Sequence, residues 1–270
     1  MSIDVDAYCR RIGYDGERVP TLAALRALHA LHPRSIPFEN FDPLLTRPVK
    51  LDIDSLNAKM VHGGRGGYCF EQNMLLAHAL EAFGFRIKKL AGRVRWGIPT
   101  GIVLPRVHFF LIVMAEGEDY LADVGFGANT LTAPLLLRAR DEQSTSHEPF
   151  RLVEEGDNIV LRAKIRGEWS DLYAFDMVEQ LLADLECGNW YTSTHPGLRF
   201  VNELIVTRVE PDGRHALRNN ELARHRLGGA TERRTLRSVS EMRATLTNIF
   251  GLKLPDGADA VLARFAPQGD

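Results

Sequence analysis

The hydrophobic and polar positions divide the chain into three parts, and the first part has a helical period. Four leucines recur at three-residue spacing over residues 22–31, between Thr21, which can cap a helix, and Pro33, which is expected to end it. A second apolar run covers residues 69–83 and is closed by Gly84, as is typical of a helix C-terminus. The first part is therefore predicted to be a small helical bundle.

The second part changes to short runs that have the alternation and residue types of strands. Turn residues separate the runs, among them Glu116 and Gly117. Such short spacing favours an antiparallel sheet or a small barrel over βαβ units. The predicted strands cover residues 87–96, 106–115, 120–124, 150–153, 159–165 and 169–175.

A helix is predicted over residues 176–185 and a loop over residues 188–196. The third part of the chain follows them and mixes both patterns. Ser238, with Glu241 three residues later, supplies a capping-box pattern that opens a further helix. Between the loop and this helix, strand-like segments cover residues 200–210, 214–218 and 231–237.

Composition describes a globular chain and argues against several partners. Of 270 residues, 45% are hydrophobic and 25% charged, which predicts a core able to enclose a pocket. The formal net charge is -2 and the Lys and Arg residues are scattered, so we expect no nucleic-acid partner. The first residues lack a signal-peptide pattern and no apolar run could span a bilayer, so we expect no membrane partner and a cytoplasmic location.

The cysteines direct attention to thiol chemistry. Cys9, Cys69 and Cys187 are an odd number without a short pairing spacing, which predicts reduced thiols rather than a disulfide framework. No CxxC pair, HExxH or GxxxxGK[ST] occurs, so neither a metal nor a nucleotide site of these kinds is predicted.

Cys69 is the candidate nucleophile because it opens the apolar helix behind two glycines. A helix N-terminus favours the thiolate, and its free N–H groups can hold an oxyanion. We therefore expect a lowered pKa for this thiol. The alternative interpretation makes Cys69 a small buried hydrophobic residue behind a structural turn. Arg65 and Glu71 beside it are interpreted as buried partners that fix the turn.

His108 and Asp123 are the candidate base and orienting acid. His108 is a polar residue in an otherwise apolar strand, and an even-numbered turn at residues 116–117 would pair residues whose numbers sum to 233. Asp123 would then be a diagonal neighbour of His108 on the same face of the hairpin. An odd-numbered loop would put the two side chains on opposite faces, and a histidine in a strand is also compatible with a core role.

Four segments resemble one known family in content and order. RGGYCFEQN at residues 65–73 is similar to the active-site signature of the arylamine N-acetyltransferases. IPFEN at residues 36–40 precedes it, and DVGFG at residues 123–127 and NWYTSTHP at residues 189–196 follow it. The short link after Gly127 resembles prokaryotic members. The resemblance covers essentially the whole chain.

The resemblance implies an α+β fold built from a helical N-terminal bundle, an antiparallel β-barrel and an α/β lid. The implied limits are residues 1–84 for the bundle with the nucleophile, 85–188 for the barrel with His and Asp, and 189–270 for the lid. The site would be a Cys-His-Asp triad akin to those of papain-like proteases and transglutaminases. Cys69 would accept the acetyl group, His108 would be the base and Asp123 would orient it.

The resemblance also implies the substrates. Acetyl-coenzyme A would be the co-substrate, without a metal, and arylamines, arylhydrazines or N-hydroxyarylamines would be the acceptors in a ping-pong reaction typical of xenobiotic metabolism. The pocket for the acceptor would be lined by Phe38, Val94 and Phe126. Neighbours of coenzyme A would be Trp96, Gly127, Ser193, Thr194 and Phe200. A homo-oligomer stays open.

Two other kinds of function compete with this one. An amide synthase or a thioester hydrolase could use the same triad with an intramolecular amine or water as the acceptor. A non-catalytic coenzyme A binding protein or a Cys/His/Asp metal-binding domain belongs to another class. Against the metal-binding domain, the three candidate ligands lack the short paired spacing of structural zinc sites.

Overall fold

The computed structural model describes residues 2–99 and 101–267 and contains helices and two antiparallel sheets. Longer helices are α1 (Val5–Ile12), α2 (Leu22–Ser35), α5 (Cys69–Ala82), α6 (Leu182–Thr194), α8 (Val239–Asn248) and α9 (Ala258–Phe265). Shorter ones are α3 (Phe41–Leu44), α4 (Ile53–Leu56), α7 (Arg199–Asn202), a π-helix (Asn57–His62) and a 3₁₀ turn (Gly127–Asn129). Strands are β1 (Phe38–Glu39), β2 (Arg86–Val94), β3 (His108–Ala115), β4 (Glu118–Ala122), β5 (Leu135–Leu136), β6 (Phe150–Glu155), β7 (Asn158–Ile165), β8 (Glu168–Phe175), β9 (Ile205–Glu210), β10 (Gly213–Arg218), β11 (Glu221–Arg226) and β12 (Thr231–Thr235).

Helix α2 begins where its cap was predicted and ends later than expected. The Thr21 hydroxyl accepts the N–H of Ala24 at 3.2 Å, which satisfies one free donor of the first turn. The helix continues through Pro33 to Ser35, so the prediction that Pro33 ends it is wrong. A proline removes one N–H near the end of the helix, but the Ile36 N–H still donates to the carbonyl of His32 at 2.8 Å.

Helix α5 is the central helix of the first part and follows the predicted limits. It begins at Cys69 and ends at Ala82, and Gly84 has a φ of 86°, a left-handed conformation suited to glycine. The Phe85 N–H then donates to the carbonyl of Leu80 at 3.0 Å, which closes the helix. Most residues of α5 are buried, including those on every face of the helix. Side chains of α5 can therefore contact the other parts of the molecule on more than one side.

The larger sheet has seven strands in the order β5-β4-β3-β2-β8-β7-β6. Leu111 pairs with Ala122 across the β3–β4 hairpin, so the numbers sum to 233 as the two-residue turn predicts. Glu116 and Gly117 have φ values of 52° and 83°, as a tight hairpin turn requires. Gln143 links the two outer strands, because its side chain bonds the backbone of β5 and its own backbone bonds Phe150 of β6. The sheet is thereby nearly closed into a barrel.

The third part departs most from prediction. Residues 188–196 were expected to be a loop, but α6 continues to Thr194 and begins only at Leu182. Gly188 is there for packing rather than for a turn, since a Cβ on it would lie 3.1 Å from Phe70 Cζ. The segment 200–210 divides into α7 and β9, and β11 was missed.

The second sheet joins the beginning of the chain to its end. Its strand order is β1-β9-β10-β11-β12, and β1 pairs Phe38 with Thr207. One buried cluster combines the N-terminal helices with one face of β3 and β4, a second fills the barrel and a third lies under the smaller sheet. The limits 1–84, 85–188 and 189–270 stay a prediction.

Candidate active site

Cys69 lies at the N-terminus of α5 and is almost completely buried. Its Sγ lies 3.8 Å from the carbonyl oxygen of Val107, the residue directly before His108. The N–H of Phe109, the residue directly after His108, also faces the sulfur. The sulfur therefore lies against the backbone on both sides of the candidate base.

The pKa of Cys69 differs from the expectation. Burial is the largest effect and raises the pKa of this thiol to about 12, with a smaller contribution from the Asp123 carboxylate. The N–H groups of Phe109 and Phe70 act in the opposite direction but do not outweigh burial. The expectation of a lowered pKa for Cys69 is therefore wrong, because burial outweighs the N–H groups, and the thiol needs a base that takes its proton.

His108 and Asp123 are hydrogen-bonded in the barrel wall. His108 Nε2 lies 2.7 Å from Asp123 Oδ2, and both side chains are buried. Burial alone would raise the pKa of Asp123, but His108 and hydrogen bonds from Asn73 and the Gly125 N–H hold it below its usual value. The carboxylate is therefore ionised and can fix the imidazole ring. Since Nε2 is engaged, Nδ1 is the ring nitrogen left for another partner.

Asn73 connects the helix of the nucleophile to this pair. It lies one turn after Cys69 on α5, and its Nδ2 donates to Asp123 Oδ1 at 2.9 Å and to the carbonyl of Phe109 at 2.6 Å. Gly125 lets α5 approach, because a Cβ there would lie 2.9 Å from Cys69 Cα. Asn73 is the last residue of the RGGYCFEQN segment, and the sequence alone predicts no role for it. Its spacing of four from Cys69 on one helix was the available signal.

His29 on α2 contacts Asp123 from the opposite side and was also missed. Its Nε2 accepts the backbone N–H of Asp123 at 3.1 Å. Burial lowers the pKa of His29 to about 4, so the ring is neutral and can accept this hydrogen bond at physiological pH. A neighbouring ring, His32, lies between Tyr8 Oη at 2.8 Å and Gln72 Oε1 at 2.7 Å. The signal was a pair of histidines three residues apart among leucines.

Aromatic rings surround His108. The centroid of Phe126 lies 4.9 Å away and perpendicular, and that of Tyr173 lies 4.6 Å away. Val94 pairs with Tyr173 across β2 and β8. Of the residues predicted to line the acceptor pocket, Phe126 thus lies beside the imidazole and Val94 is the strand partner of Tyr173, which is an unpredicted neighbour of the ring.

Phe38 and Phe200 form a second aromatic group. Their ring centroids are 6.0 Å apart. Phe200 also lies edge-on to Tyr68, with 5.6 Å between the ring centroids, and Tyr68 directly precedes Cys69 in the chain. Gly127 is buried with a φ of 72°, and a Cβ on it would meet Phe38 at 4.0 Å. These predicted neighbours of the two substrates therefore lie around the Cys69 side of the site.

The remaining predicted contacts to coenzyme A differ in their exposure. Trp96 follows β2 and is 36% exposed. Ser193 is buried in α6, where its hydroxyl donates to the carbonyl of Asn189 at 2.8 Å. Thr194 is exposed, and its hydroxyl donates to the carbonyl of Trp190 at 2.6 Å. Both hydroxyl groups are engaged within their own helix, so their role toward a cofactor stays a prediction.

A buried ion cluster fixes the turn before the nucleophile. Lys59 Nζ lies 2.6 Å from both Asp42 Oδ2 and Glu71 Oε1, while Arg65 binds Glu39 Oε1 at 2.7 Å and Asp42 Oδ1 at 2.8 Å. Glu71 Oε2 accepts the N–H of Tyr68 at 3.1 Å at the start of α5. Arg65 and Glu71 are thus partners of the turn, as their position beside Cys69 predicts.

The described part of the chain contains neither a cluster of metal ligands nor a membrane-spanning helix. No group of three or more His, Cys, Asp or Glu side chains among residues 2–99 and 101–267 is arranged to hold a metal ion. Within those same residues, none of the helices is long and apolar enough to cross a membrane.

Known proteins resemble the chain over nearly its full length. Residues 21–259 match a family described as N-acetyltransferase. The arylamine N-acetyltransferase of Mycolicibacterium smegmatis is 47% identical over 260 residues, covering 95% of this chain and 94% of that protein. The Escherichia coli enzyme of the same name is 40% identical, with 95% and 91% covered. A structure of Mycobacterium marinum arylamine N-acetyltransferase in complex with CoA superposes with a TM-score of 0.93 at 40% identity. The superposition covers 97% of this chain and 100% of that chain.

Proposed function

The chain belongs to the arylamine N-acetyltransferase family, and on this premise we propose that Cys69, His108 and Asp123 transfer an acetyl group from acetyl-coenzyme A to an aromatic amine. The observation that carries the assignment is the position of the Cys69 sulfur against the backbone of residues 107–109, with His108 bonded to Asp123 at 2.7 Å. The helical bundle, the barrel and the smaller sheet each contribute to the surroundings of this sulfur.

The first half-reaction begins with a proton transfer. His108 Nδ1 takes the proton of the Cys69 thiol, and the ionised Asp123 stabilises the imidazolium that forms. The thiolate attacks the carbonyl carbon of the thioester, and the N–H groups at the start of α5 stabilise the oxyanion. The bond between that carbon and the sulfur of coenzyme A breaks. The departing thiolate takes the proton from His108, which leaves acetyl-Cys69 and neutral imidazole.

The second half-reaction reverses these roles. The nitrogen of an aromatic amine, uncharged at neutral pH, attacks the acetyl-Cys69 carbonyl while His108 accepts the proton of that nitrogen. The bond to sulfur breaks, and the Cys69 thiolate takes the proton back from His108. Because the products leave in two stages through a covalent intermediate, the steady-state kinetics are ping-pong.

The aromatic groups near the sulfur support the choice of acceptor. Phe126 lies beside the imidazole, Val94 is the strand partner of Tyr173 and Phe38 lies on the Cys69 side, so a flat aromatic amine would be enclosed by apolar side chains. Such an enclosure also keeps water from hydrolysing the acetyl-enzyme. Gly127, Trp96, Phe200, Ser193 and Thr194 are proposed as neighbours of coenzyme A. A cytoplasmic location and the absence of a nucleic-acid partner stay predictions, and a reducing compartment suits an enzyme that works through a free thiol.

Replacing the nucleophile tests the proposal. Cys69→Ala should abolish acetyl transfer to an arylamine and leave the circular dichroism spectrum and the melting temperature near those of the wild type. Cys187→Ala, which removes an exposed thiol, is the matched control and should keep full activity. Substantial turnover by Cys69→Ala would contradict the assignment.

The rival activities are separated by the acceptor. Without an arylamine, the enzyme should consume about one equivalent of acetyl-coenzyme A. Further consumption should require the amine. Equal consumption without the amine would indicate a thioester hydrolase. Transfer confined to an amine within the acyl donor itself would indicate an amide synthase.

A further inference from the structure

His29 is a completely buried histidine behind the His–Asp pair, and the proposed mechanism has no use for it. It lies in the middle of α2 with no solvent exposure, between the buried Leu25 and Leu28 and the end of the helix. Burial lowers the pKa of His29 to about 4, so the ring is uncharged at physiological pH. Leucine could provide the packing at such a position without bringing polar atoms into the core. The imidazole therefore requires an explanation.

The backbone leaves the larger sheet at Asp123. Strand β4 pairs with β3 as far as Ala122 and with β5 as far as Leu121. Asp123 therefore lies beyond both ladders, and its N–H needs another acceptor because a buried N–H without a partner is unfavourable. His29 supplies this acceptor, since its Nε2 lies 3.1 Å from the Asp123 nitrogen.

The polar atoms of Asp123 are held from several elements. Its carboxylate is bonded to Asn73 and to His108, and its backbone carbonyl accepts the hydroxyl of Thr130 at 3.1 Å. The backbone of Asp123 is thus held at its carbonyl by Thr130 and at its N–H by His29. Because the backbone determines where the Cβ points, these two bonds set the direction in which the carboxylate extends toward His108.

Only one tautomer of His29 can accept the Asp123 N–H. Nε2 must be without a proton, so the neutral ring carries its proton on Nδ1. Pro33, four residues later in α2, has no N–H to donate to the carbonyl of His29, and this carbonyl lies beside the imidazole of the same residue. An acceptor is therefore near Nδ1, although no hydrogen bond of ordinary geometry joins them. The proline favours the tautomer that Asp123 requires.

We propose that His29 is a positioning residue for the catalytic pair, because its bond to the Asp123 N–H fixes the backbone from which the carboxylate reaches His108. This inference rests on the proposed function, since the effect is exerted on the base of that reaction. Without the bond, the carboxylate adopts more than one orientation, and His108 is less often placed to take the proton of Cys69. The rate at which acetyl-Cys69 forms reports this effect.

Two amides at position 29 separate the acceptor from the other properties of the ring. In His29→Gln the amide oxygen can reach the position of Nε2, whereas the shorter side chain of His29→Asn reaches only the position of Nδ1. In a single turnover with acetyl-coenzyme A, His29→Asn should form acetyl-enzyme roughly tenfold more slowly than the wild type. His29→Gln should recover most of this loss. Mass spectrometry of the intact protein gives the rates.

The same substitutions in an Asp123→Asn background distinguish positioning from a general structural role. A residue that acts through the Asp123 carboxylate loses its effect when that carboxylate is absent. His29→Asn should therefore change the slow residual rate of Asp123→Asn by less than about twofold. His32→Asn is the matched control, because His32 is equally buried on the same helix and bonds Tyr8 and Gln72 instead. Any factor by which it changes the rate should be the same in both backgrounds.

A wild-type rate in His29→Asn, or an equal loss in both backgrounds, would overturn the proposal. Failure of the wild type to form any acetyl-enzyme would instead refute the proposed function, so the two failures are distinct. Should His29→Asn not fold, nitrogen-15 nuclear magnetic resonance of the wild-type enzyme identifies the protonated ring nitrogen of His29. A proton on Nδ1 with a bare Nε2 supports the bond, and a proton on Nε2 contradicts it.

Discussion

At the scale of single residues, the reactivity of Cys69 depends on its neighbour rather than on the sulfur alone. A thiol whose pKa is raised to about 12 by burial carries almost no thiolate at neutral pH. In the proposed mechanism, proton transfer to His108, with Asp123 ionised behind it, creates the nucleophile as an ion pair. The N–H groups of the helix N-terminus then serve to stabilise the oxyanion, and they do not by themselves keep the thiol ionised.

Removing the base should therefore silence the thiol. In His108→Gln, alkylation of Cys69 by iodoacetamide at neutral pH should slow by orders of magnitude, because ionisation then follows the raised pKa of the isolated thiol. Mass spectrometry of the alkylated peptides gives the rate. The exposed Cys187 of the same molecules is an internal control and should react at an unchanged rate. Unchanged alkylation of Cys69 would show that His108 is not its base.

At the scale of elements, the site depends on how closely α5 approaches the segment that follows β4. Asn73 of α5 donates to Asp123, and the Val124 N–H donates to Asn73 Oδ1 at 3.0 Å. Gly125 permits this contact because it has no side chain. Cys69 and Asp123 are thus positioned by one helix-to-strand junction.

Adding one methyl group at this junction should separate its two sides. In Gly125→Ala the new Cβ would lie 2.8 Å from Asn73 Nδ2 and 2.9 Å from Cys69 Cα, so the backbone must shift. We expect acetyl transfer to fall more than tenfold and stability to fall by about 1–3 kcal/mol. Initial rates and urea unfolding measure the two effects.

A matched substitution shows whether the position matters. Gly229→Ala changes an exposed glycine between β11 and β12, where the new Cβ would meet only Arg226, with its Cβ the nearest atom at 3.2 Å. It should retain wild-type rates. Wild-type activity in Gly125→Ala as well would refute the close approach of α5.

The sequence predicted those elements whose signals are local. The limits of α5 followed from Cys69 and Gly84, and the register of the β3–β4 hairpin followed from its two-residue turn. The contacts of Asn73 and His29 with Asp123 depend on how α5 and α2 dock against the barrel, which no local pattern contains. Gly188 misled the prediction because glycine serves close packing as well as turns.

At the scale of the whole molecule, buried polar contacts join distant parts of the chain around the site. Asn40 Nδ2 donates to the carbonyls of Phe200 at 2.8 Å and Glu203 at 2.7 Å, and Asn40 Oδ1 accepts the Ile205 N–H at 2.8 Å. These three bonds connect the helical bundle to the smaller sheet. The rings of His29 and His32 are also buried, and burial lowers the pKa of both, so the interior is built for a pH at which histidine is uncharged.

Acid should therefore destabilise the fold before the carboxylates are protonated. Burial lowers the pKa of His29 to about 4 and of His32 to about 3, while in the unfolded chain both take up protons near pH 6.5. Their stabilising contribution is complete above pH 6.5 and is lost as the pH falls toward about 4. Each histidine should lower the free energy of unfolding by up to about 1.4 kcal/mol per pH unit.

Urea unfolding between neutral pH and about pH 4.5 measures this slope. His32→Gln should flatten it whatever its effect on the absolute stability, because a non-titrating amide replaces the ring. His62→Gln, which removes an exposed histidine, should leave the slope unchanged. A wild-type stability that is constant over this range would contradict the account of the interior.

The central claim is that the acetyl group passes through the sulfur of Cys69, and mass spectrometry of the enzyme tests it most directly. Mixing with acetyl-coenzyme A should add one acetyl group, which peptide mapping places on Cys69 and which disappears when an arylamine is added while the N-acetylated product forms. An acetyl group on another residue, or product formation while no acetyl-enzyme can be trapped, would contradict the mechanism.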